Sequence, residues 1–463
     1  MSDRRMIGRT NPDLIGLDEF ARFRSAHPEV RYVDALISDM SNVVRGKRLP
    51  VEEADKLFVD GIQMPYTLYC LDVTGDCSDP CGRGFSDGDP DGTHRPLAGT
   101  LALVPWAAEP TAQVLTTMFD ESGPPSRLDP RNVLADLARR FGETKLTPVC
   151  AVELEFYLFD PERLPDGAPQ PPLLPGTRLR DRSRQAYSMD GLDAYRGFIV
   201  EVQEACRVQG VPASAAATEF APAQFEVNLH HVADICRAAD HAVLLRRIVK
   251  GIARRHGVDA SFMAKPYSGE PGNGMHIHLS LLDEAGRNLF DDGSEVGSAL
   301  LRNAIGGLLA TQHEAMAIFA PNINSFRRFA SNLFTPVNRS WTVNNRSAAV
   351  RVPSGSPAAR RLEHRIAGAD ANPYLVLAAV LAGVLHGLEH RLDPGEPWTG
   401  NASAELDSDL PFSVPAALDA LAAGTVLPEL IGRDYVDLYV ATKRAEYAKF
   451  MAHVSPLEYE WYL

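Results

Sequence analysis

Several short segments of this chain alternate strictly between polar and apolar residues, and this alternation constrains the fold more than any other feature. In the run VCAVELEFYLF at 149–159, Glu153 and Glu155 share one face and four apolar side chains occupy the other. Because successive residues of a strand point to opposite sides of a sheet, this pattern predicts a strand with one polar face. Two carboxylates on such a face repel each other unless a cation or a proton lies between them. From this segment alone, an exposed edge strand with two solvated glutamates is an equally good interpretation.

The same alternation recurs further along the chain. It is present in QFEVNLH at 224–230, MHIHLSL at 275–281, NNRSAAVRVP at 344–353 and RLEHRI at 361–366. Together these runs predict a curved antiparallel sheet with an apolar convex face and a polar concave face. Carboxylates, one imidazole and several arginines share the predicted concave face. Its candidate metal ligands are Glu153, Glu155, Glu219, Glu226, Glu363 and His276.

Five carboxylates with a single imidazole form an oxygen-rich set, which suits Mg²⁺ or Mn²⁺ better than zinc. Arginines beside such a set are typical of phosphate or carboxylate recognition. Cations and arginines together indicate phosphoryl transfer from a nucleotide. The chain has no GxxxxGK[ST] phosphate loop and no GxSxG nucleophile motif, so a nucleotide would have to be held by sheet residues and metals.

The remaining segments predict an α+β protein of two domains. Helical patterns separate the strands of the large domain, and the stretch DESGPPSRLDPR at 120–131 has the proline pattern of a domain boundary. We therefore expect a small N-terminal domain at 1–122 and a large domain at 123–463. The longest apolar run, 375–388, is too short for a membrane span and predicts a buried helix.

Charge and cysteine content narrow the possible partners and the compartment. The 46 basic and 60 acidic residues give a net charge of −14, which argues against a nucleic-acid partner. The six cysteines are too few and too scattered for a disulfide scaffold, so reduced thiols are expected. The N-terminus lacks the apolar segment of a signal peptide. These features predict a cytoplasmic protein without a membrane or nucleic-acid partner.

Five motifs in order along the chain resemble the glutamine synthetase superfamily. They are ELEF at 153–156, EFAPAQFE at 219–226, KPYSGEPGNGMHIHLS at 265–280, the pair Asn345-Arg346, and RLEHR at 361–365. The loop GDPDGTHRPLAGTLALVPW at 88–106 and the tail HVSPLEYEWYL at 453–463 are most similar to the gamma-glutamylpolyamine synthetase branch. The resemblance covers nearly the whole chain.

The resemblance implies a β-grasp N-terminal domain, a catalytic domain with an antiparallel sheet, and a homo-oligomer, most simply a double-ring dodecamer with active sites between subunits. It also implies that ATP phosphorylates the γ-carboxylate of glutamate and that an amine then attacks the acyl phosphate. The implied first metal site is Glu155, Glu219 and Glu226, and the second is Glu153, His276 and Glu363. The implied glutamate contacts are Gly272, Arg328, Arg346 and Arg365, and the nucleotide contacts are His278, Ser280 and Arg351. Arg346 is the implied catalytic residue, placed to hold the transferring phosphoryl group.

Some positions depart from the family pattern. Ala223 stands where a glycine is usual, and Pro271 replaces an asparagine near the substrate. In members that use ammonia, a flap glutamate and an N-terminal aspartate bind the ammonium ion; here the first position is Phe334, and Pro65 with Tyr66 occupies the second. We therefore predict an organic amine as the nitrogen substrate, such as a polyamine. The alternatives are an ammonia-using glutamine synthetase, in which an acid such as Asp72 or Asp76 replaces the missing pair, and an inactive scaffold. The sequence does not choose among amines, or between a hexamer and a dodecamer.

Overall fold

The computed structural model describes residues 13–331 and 333–463, and it combines helices with two separate sheets, which confirms the α+β class. The helices are α1 (Leu17–Ala26), α2 (Asp55–Val59), α3 (Pro130–Glu143), α4 (Met189–Ala194), α5 (Arg196–Val208), α6 (Ile235–Arg255), α7 (Ala299–Phe319), α8 (Pro373–His390), α9 (Val414–Ala423), α10 (Val426–Ile431), α11 (Arg433–Met451) and α12 (Pro456–Tyr462). The strands are β1 (Tyr32–Ser38), β2 (Val44–Pro50), β3 (Ile62–Pro65), β4 (Asp91–Pro96), β5 (Ala102–Leu103), β6 (Thr111–Phe119), β7 (Thr147–Phe159), β8 (Ala213–Thr218), β9 (Gln224–Leu229), β10 (Asp259–Ser261), β11 (Met275–Leu282), β12 (Trp341–Val343), β13 (Val350–Val352) and β14 (Leu362–His364).

The first sheet has the strand order β2-β1-β6-β4-β3, with β5 also paired to β6. β1 is parallel to β6, and the other pairs are antiparallel. Every residue of β6 is buried, as expected for a central strand covered on both faces. The proposed division after residue 122 falls between β6 and α3; residues 1–12 of the predicted N-terminal domain lie outside the described residues. The division and the β-grasp description stay predictions.

The second sheet has the order β12-β13-β14-β11-β7-β9-β8, with β10 also paired to β7. Its pairs are antiparallel, as predicted, except for the parallel pair β12 and β13. The run 344–353 was expected to be a strand throughout, but only 350–352 is one. Asn344 adopts a left-handed conformation (φ 51°), and the Asn345 side chain accepts a hydrogen bond from the Ser347 amide. This asparagine turn lies between β12 and β13, so Arg346 is in a loop rather than in a strand of the sheet.

Helix α8 lies in the core and contacts α7, α3, α10 and α6. It covers the run predicted at 375–388 and begins two residues earlier, where the Asn372 side chain accepts a hydrogen bond from the Tyr374 amide. By length and composition α8 could cross a membrane, but 78% of its most apolar window is buried inside the fold. The helix α8 is therefore packed as a core helix of the fold.

Helices α7 and α8 meet through glycines, which let their backbones touch. A β-carbon on Gly307 of α7 would lie 2.0 Å from the Gly383 carbonyl oxygen and 2.5 Å from the Gly387 nitrogen of α8. These are backbone atoms of a buried helix and cannot rotate away. The closest approach of the two longest apolar helices therefore depends on the absence of a side chain at this position.

Gly307→Ala is expected to lower the melting temperature markedly, because the added methyl group must push two packed helices apart at a cost of about 1–3 kcal/mol or more. The matched control is Gly142→Ala in α3, where an added β-carbon would meet no atom within 4 Å. That change should be neutral or stabilising by about 0.5–1 kcal/mol, since alanine restricts the unfolded chain. Thermal unfolding followed by circular dichroism distinguishes the two; equal melting temperatures would contradict the packing described here.

Candidate active site

Strand register brings the predicted metal ligands together on one face of the second sheet. Glu153 of β7 lies opposite His276 of β11, and Glu155 of β7 lies opposite Glu226 of β9. Glu363 of β14 lies opposite the residue two positions after His276. Directly opposed residues share a face, so these side chains converge from four neighbouring strands. We call Glu153, Glu155, Glu226, Glu363 and His276 the acidic cluster.

The acidic cluster contains two overlapping sets of potential ligand atoms, each set lying within 4.8 Å of one another. One set is Glu153, His276 and Glu363; the other is Glu155, Glu226 and His276. The His276 Nδ1 atom is 3.4 Å from a Glu153 oxygen, and its Nε2 atom is 3.8 Å from a Glu155 oxygen. Oxygen donors with one shared imidazole fit Mg²⁺ or Mn²⁺. The first set is the predicted second metal site; the other differs from the predicted first site because Glu219 lies outside both sets.

Partly buried negative charge, compensated at Glu363 but not at Glu226, is the main electrostatic feature of this cluster. Burial, reinforced by the neighbouring glutamates, raises the pKa of Glu226 to about 9. Burial, reinforced chiefly by the charge of Glu155, raises the pKa of Glu219 to about 7. Glu219 is therefore close enough to the cluster to interact with its charges. Burial opposes ionisation of Glu363 as well, but nearby arginines and histidines lower its pKa to about 2. A divalent cation would relieve the repulsion that raises the first two values.

The stabilisation of the protein by Mg²⁺ is therefore expected to grow with pH. Because the folded-state pKa of Glu226 is raised, the folded chain holds a proton that the unfolded chain releases near pH 4.5, and metal-free stability falls as pH rises towards 9. Mg²⁺ must displace that proton at pH 6.5 but not above pH 9. We expect a larger rise in melting temperature on adding Mg²⁺ at pH 9 than at pH 6.5, and a smaller pH dependence in Glu226→Gln. An increment independent of pH in the wild type would contradict the protonation described here.

Three arginines border the acidic cluster. Arg351 lies 2.8 Å from one Glu363 oxygen, and Arg365 forms an ion pair with the other. Arg365 also donates a hydrogen bond from Nε to the carbonyl oxygen of Arg346 (3.2 Å). The Arg346 side chain is exposed and interacts with Tyr187. Three guanidinium groups beside a cation site can bind several phosphate or carboxylate oxygens at once.

A loop between β10 and β11 carries Gly272 against the side chain of Arg328. A β-carbon on Gly272 would lie 2.7 Å from the Arg328 Cγ atom and 2.5 Å from a backbone oxygen, so only glycine fits there. Arg328 is buried and donates a hydrogen bond to the Ile366 carbonyl oxygen (2.9 Å). The loop is joined to the acidic cluster because the Gly274 amide donates to Glu155 at 2.7 Å. The four predicted glutamate contacts thus lie on segments that adjoin the cluster.

Of the three predicted nucleotide contacts, His278 and Arg351 adjoin the acidic cluster. The His278 Nε2 atom lies 2.8 Å from a Glu153 oxygen, and its Nδ1 atom accepts a hydrogen bond from Arg361. That hydrogen bond places the imidazole proton on Nε2, facing the carboxylate. Ser280 lies two residues further along the same face of β11 and donates to the Arg360 carbonyl oxygen. Its hydroxyl is already engaged within the chain.

Sequence reasoning assigned no role to three residues that the structure brings to this site. Arg361 orients His278, and the His231 ring contacts the same imidazole with centroids 6.0 Å apart. Tyr187 lies beside Arg346. Arg361 shares the RLEHR alternation with Glu363 and could have been inferred from it. His231 and Tyr187 lie outside helices and strands, where no periodic pattern marks them.

Comparison with known proteins agrees with this geometry. Residues 127–462 match the family of glutamine synthetase catalytic domains. This chain belongs to the glutamine synthetase family. It is 39% identical over 447 residues to the gamma-glutamylputrescine synthetase PuuA of Escherichia coli (strain K12), and the alignment covers 96% of this chain and 94% of that protein. It is 33% identical over 432 residues to a glutamate–isopropylamine ligase of Pseudomonas sp, and that alignment covers 92% of this chain and 93% of the ligase.

The fold agrees with solved structures of the same family. A structure described as a GmaS/ADP complex superimposes with a TM-score of 0.82 at 27% identity and covers 97% of this chain and 99% of that one. GmaS without ligand gives a TM-score of 0.79 at 28% identity, covering 95% and 97%. Carbon–nitrogen ligases of this family use ATP and divalent cations, and the acidic cluster is this chain's candidate cation site.

Proposed function

We propose that this enzyme ligates the γ-carboxylate of L-glutamate to an organic amine, with ATP as the phosphoryl donor. The observation that carries the proposal is the juxtaposition of the acidic cluster with Arg346, Arg351 and Arg365. Cation ligands and guanidinium groups at one place suit a reaction in which phosphoryl charge develops and must be neutralised. The two amine ligases with which the chain shares 39% and 33% identity support the same reaction class.

The reaction has two steps. A γ-carboxylate oxygen of glutamate attacks the γ-phosphorus of ATP, the bond to the bridging oxygen breaks, and ADP leaves. The amine nitrogen then attacks the carbonyl carbon of γ-glutamyl phosphate, loses a proton and expels inorganic phosphate. Mg²⁺ or Mn²⁺ held by the acidic cluster and Glu219 would supply charge neutralisation for the phosphate oxygens.

The protein's own residues bind and orient the substrates. Arg328 and Arg365 would hold carboxylate oxygens of glutamate, and Gly272 lets the backbone approach closely. His278, Ser280 and Arg351 would contact the nucleotide. Arg346, in its asparagine turn beside Arg365, would stabilise the transferring phosphoryl group.

An aromatic side chain in a largely polar pocket supports an organic amine over ammonia. Phe334 is 73% exposed and lines, with Leu333 and Asn345, a cavity of about 350 Å³ next to the Arg346 turn. A benzyl side chain neither attracts an ammonium ion through charge nor accepts its proton, whereas it can contact the carbon chain of an alkylamine. Tyr66, at the other predicted amine position, is buried, and its hydroxyl accepts a hydrogen bond from the Glu121 amide.

The amine preference is tested by steady-state ADP release with glutamate, ATP, Mg²⁺ and a panel of putrescine, ethanolamine, isopropylamine and ammonia. We expect an organic amine to give the highest kcat/KM. Two lost charge-assisted contacts of about 1.5–3 kcal/mol each predict a strongly weakened ammonium affinity. Phe334→Glu is expected to shift the preference towards ammonia. Ammonia as the best substrate of the wild type would instead favour the second candidate, a glutamine synthetase.

We further propose a cytoplasmic homo-oligomer, most simply a double-ring dodecamer, as the family resemblance implies. Helix α12 supports a subunit contact because its apolar side chains face solvent. The exposed residues are Leu457, Tyr459, Trp461 and Tyr462. Static light scattering of the purified protein measures the assembly mass directly.

A further inference from the structure

A cavity of about 670 Å³ lies apart from the residues assigned to the active site. It is bounded by α6, by the segment that enters β2, and by the C-terminal end of α11. None of the predicted metal, glutamate or nucleotide contacts lines it. The proposed reaction therefore leaves this cavity without a role.

The walls of this cavity carry more positive than negative charge. Five basic side chains line it, against the two acids Asp370 and Glu446; the basic residues are Arg246, Arg247, Lys250, Arg254 and Lys449. Two of the five are paired with acids outside the wall: Arg247 with Asp34 at 3.2 Å, and Lys449 with Asp72 and Asp76. Glu446 is paired with Lys443 at 3.0 Å.

The unpaired cations lie on one stripe of α6. The side chains of Lys250 and Arg254, one helical turn apart, form no hydrogen bond or ion pair with residues 13–331 or 333–463. Arg246, one turn earlier, donates a hydrogen bond to the Ala369 carbonyl oxygen. Burial, reinforced by the charges of Arg246 and Arg254, lowers the pKa of Lys250 to about 8. Arg246 is buried, Lys250 is partly buried and Arg254 is exposed, and cations clustered in this way are stabilised by an anion placed between them.

Aromatic rings also line the cavity, and two of them lie against the cations of α6: the Arg246 guanidinium is 4.9 Å from the Phe262 ring centroid, and that of Arg247 is 5.8 Å from the Trp106 ring centroid. These rings belong to Trp106, Phe262 and Phe450, and the Trp106 ring packs directly on the backbone of Gly251. A β-carbon at Gly251 would lie 2.4 Å from the indole nitrogen, so the glycine makes room for this ring. Cations and aromatic rings side by side in one cavity favour a ligand that carries both charged groups and a ring or hydrocarbon body.

We propose that this cavity binds a small organic dianion, a dicarboxylate or a phosphate monoester, with its charges between Lys250 and Arg254 and its body against Trp106. The volume is that of a site for a small molecule rather than for a single ion. Binding here does not depend on the amine ligase reaction.

Hydrogen bonds connect the cavity wall to the loop that carries Gly272. The Asn324 side chain, in the wall, accepts from the Lys265 amide at 2.8 Å and donates to the Lys265 carbonyl oxygen at 2.9 Å. The Ala369 carbonyl bound by Arg246 belongs to a residue whose amide donates to the Asn273 carbonyl oxygen at 3.0 Å. A dianion in this cavity therefore lies beside two residues, Arg246 and Asn324, whose hydrogen bonds lead to the two ends of the proposed glutamate loop. We therefore expect the bound dianion to change KM for glutamate, and this expectation rests on the proposed function.

The test is a titration of tryptophan fluorescence in the full-length protein with AMP, 2-oxoglutarate and inorganic phosphate, with adenosine as the uncharged control. We expect saturable binding of AMP or 2-oxoglutarate and a loss of affinity of at least about ten-fold in the double variant Lys250→Gln/Arg254→Gln. The control Arg255→Gln removes one positive charge from the residue of α6 that follows Arg254 and that instead pairs with Glu201. It should retain wild-type affinity, as should Arg346→Ala, which separates this cavity from the active site.

Three results would overturn the proposal. The first is no saturable response of the wild type to any probe up to about 10 mM. The second is a response that Arg346→Ala abolishes and the double variant retains, which would assign binding to the active site. The third is a change in assembly mass of the double variant by light scattering, which would assign the cations to a subunit contact. If the wild type showed no ligase activity, the proposed function would be disproved, but the titration would still test binding in this cavity.

Discussion

Glu155→Gln is expected to reduce kcat by at least about 10³-fold while the enzyme keeps its fold, because an amide cannot replace a carboxylate as a cation ligand in a site that must neutralise phosphoryl charge. The glutamine oxygen can still accept the hydrogen bond that Glu155 receives from Gly274. Removing the charge of Glu155 also relieves repulsion that contributes to the raised pKa of Glu226. The melting temperature of the metal-free variant should therefore equal or exceed that of the wild type.

Glu162→Gln is the matched control for this substitution. Glu162 is exposed three residues beyond the end of β7, on the same chain segment, and touches no residue of the acidic cluster. We expect wild-type kcat for Glu162→Gln, measured by ADP release with saturating Mg²⁺. Retention of more than about a tenth of the activity in Glu155→Gln would show that Glu155 does not bind the catalytic cation.

Arg346→Ala is expected to lower kcat on the order of 10²–10³-fold with a much smaller change in KM for glutamate, as for the loss of one preorganised electrostatic group. The exposed Arg346 side chain extends from a turn whose backbone is held by Arg365 and Asn345. The turn does not require the guanidinium, so the variant should fold. Arg346→Lys keeps the charge but loses the planar fork and should recover only part of the rate.

Steady-state kinetics with glutamate as the varied substrate separates the two possible roles of Arg346. A loss confined to kcat indicates an interaction that forms in the transition state. A rise in KM at unchanged kcat would place Arg346 in glutamate binding instead and would refute the assigned catalytic role.

Local alternation was sufficient to predict β7, β9, β11 and β14 of the second sheet and their shared polar face, but it did not predict β8, β10 or β12. Glu153 and Glu155 share a face in any extended strand, so their proximity follows from the sequence alone. The partnership of Glu153 with His276 does not, because the register between β7 and β11 depends on the whole sheet. The family resemblance assigned that pair before the register was known, and the structure brings the two side chains together.

Loop residues were the least accessible to prediction. Arg346 was attributed to a strand-like run, but the left-handed Asn344 and the Asn345 side chain turn the chain there. Tyr187 reaches Arg346 from a segment more than 150 residues earlier that has no periodic pattern. The cavity beside Lys250 was equally hidden, because its walls come from distant segments of the chain. Positions set by tertiary packing carry no local signal in one sequence.

The central claim, ligation through a phosphorylated γ-carboxylate, is tested most directly by transfer of an oxygen isotope. Glutamate labelled with ¹⁸O in both γ-carboxyl oxygens is incubated with the enzyme, ATP, Mg²⁺ and the preferred amine, and the products are analysed by mass spectrometry. The account predicts one ¹⁸O atom in each inorganic phosphate, the other in the γ-glutamyl amide, and ADP as the nucleotide product. Unlabelled phosphate, or release of AMP and pyrophosphate, would contradict it.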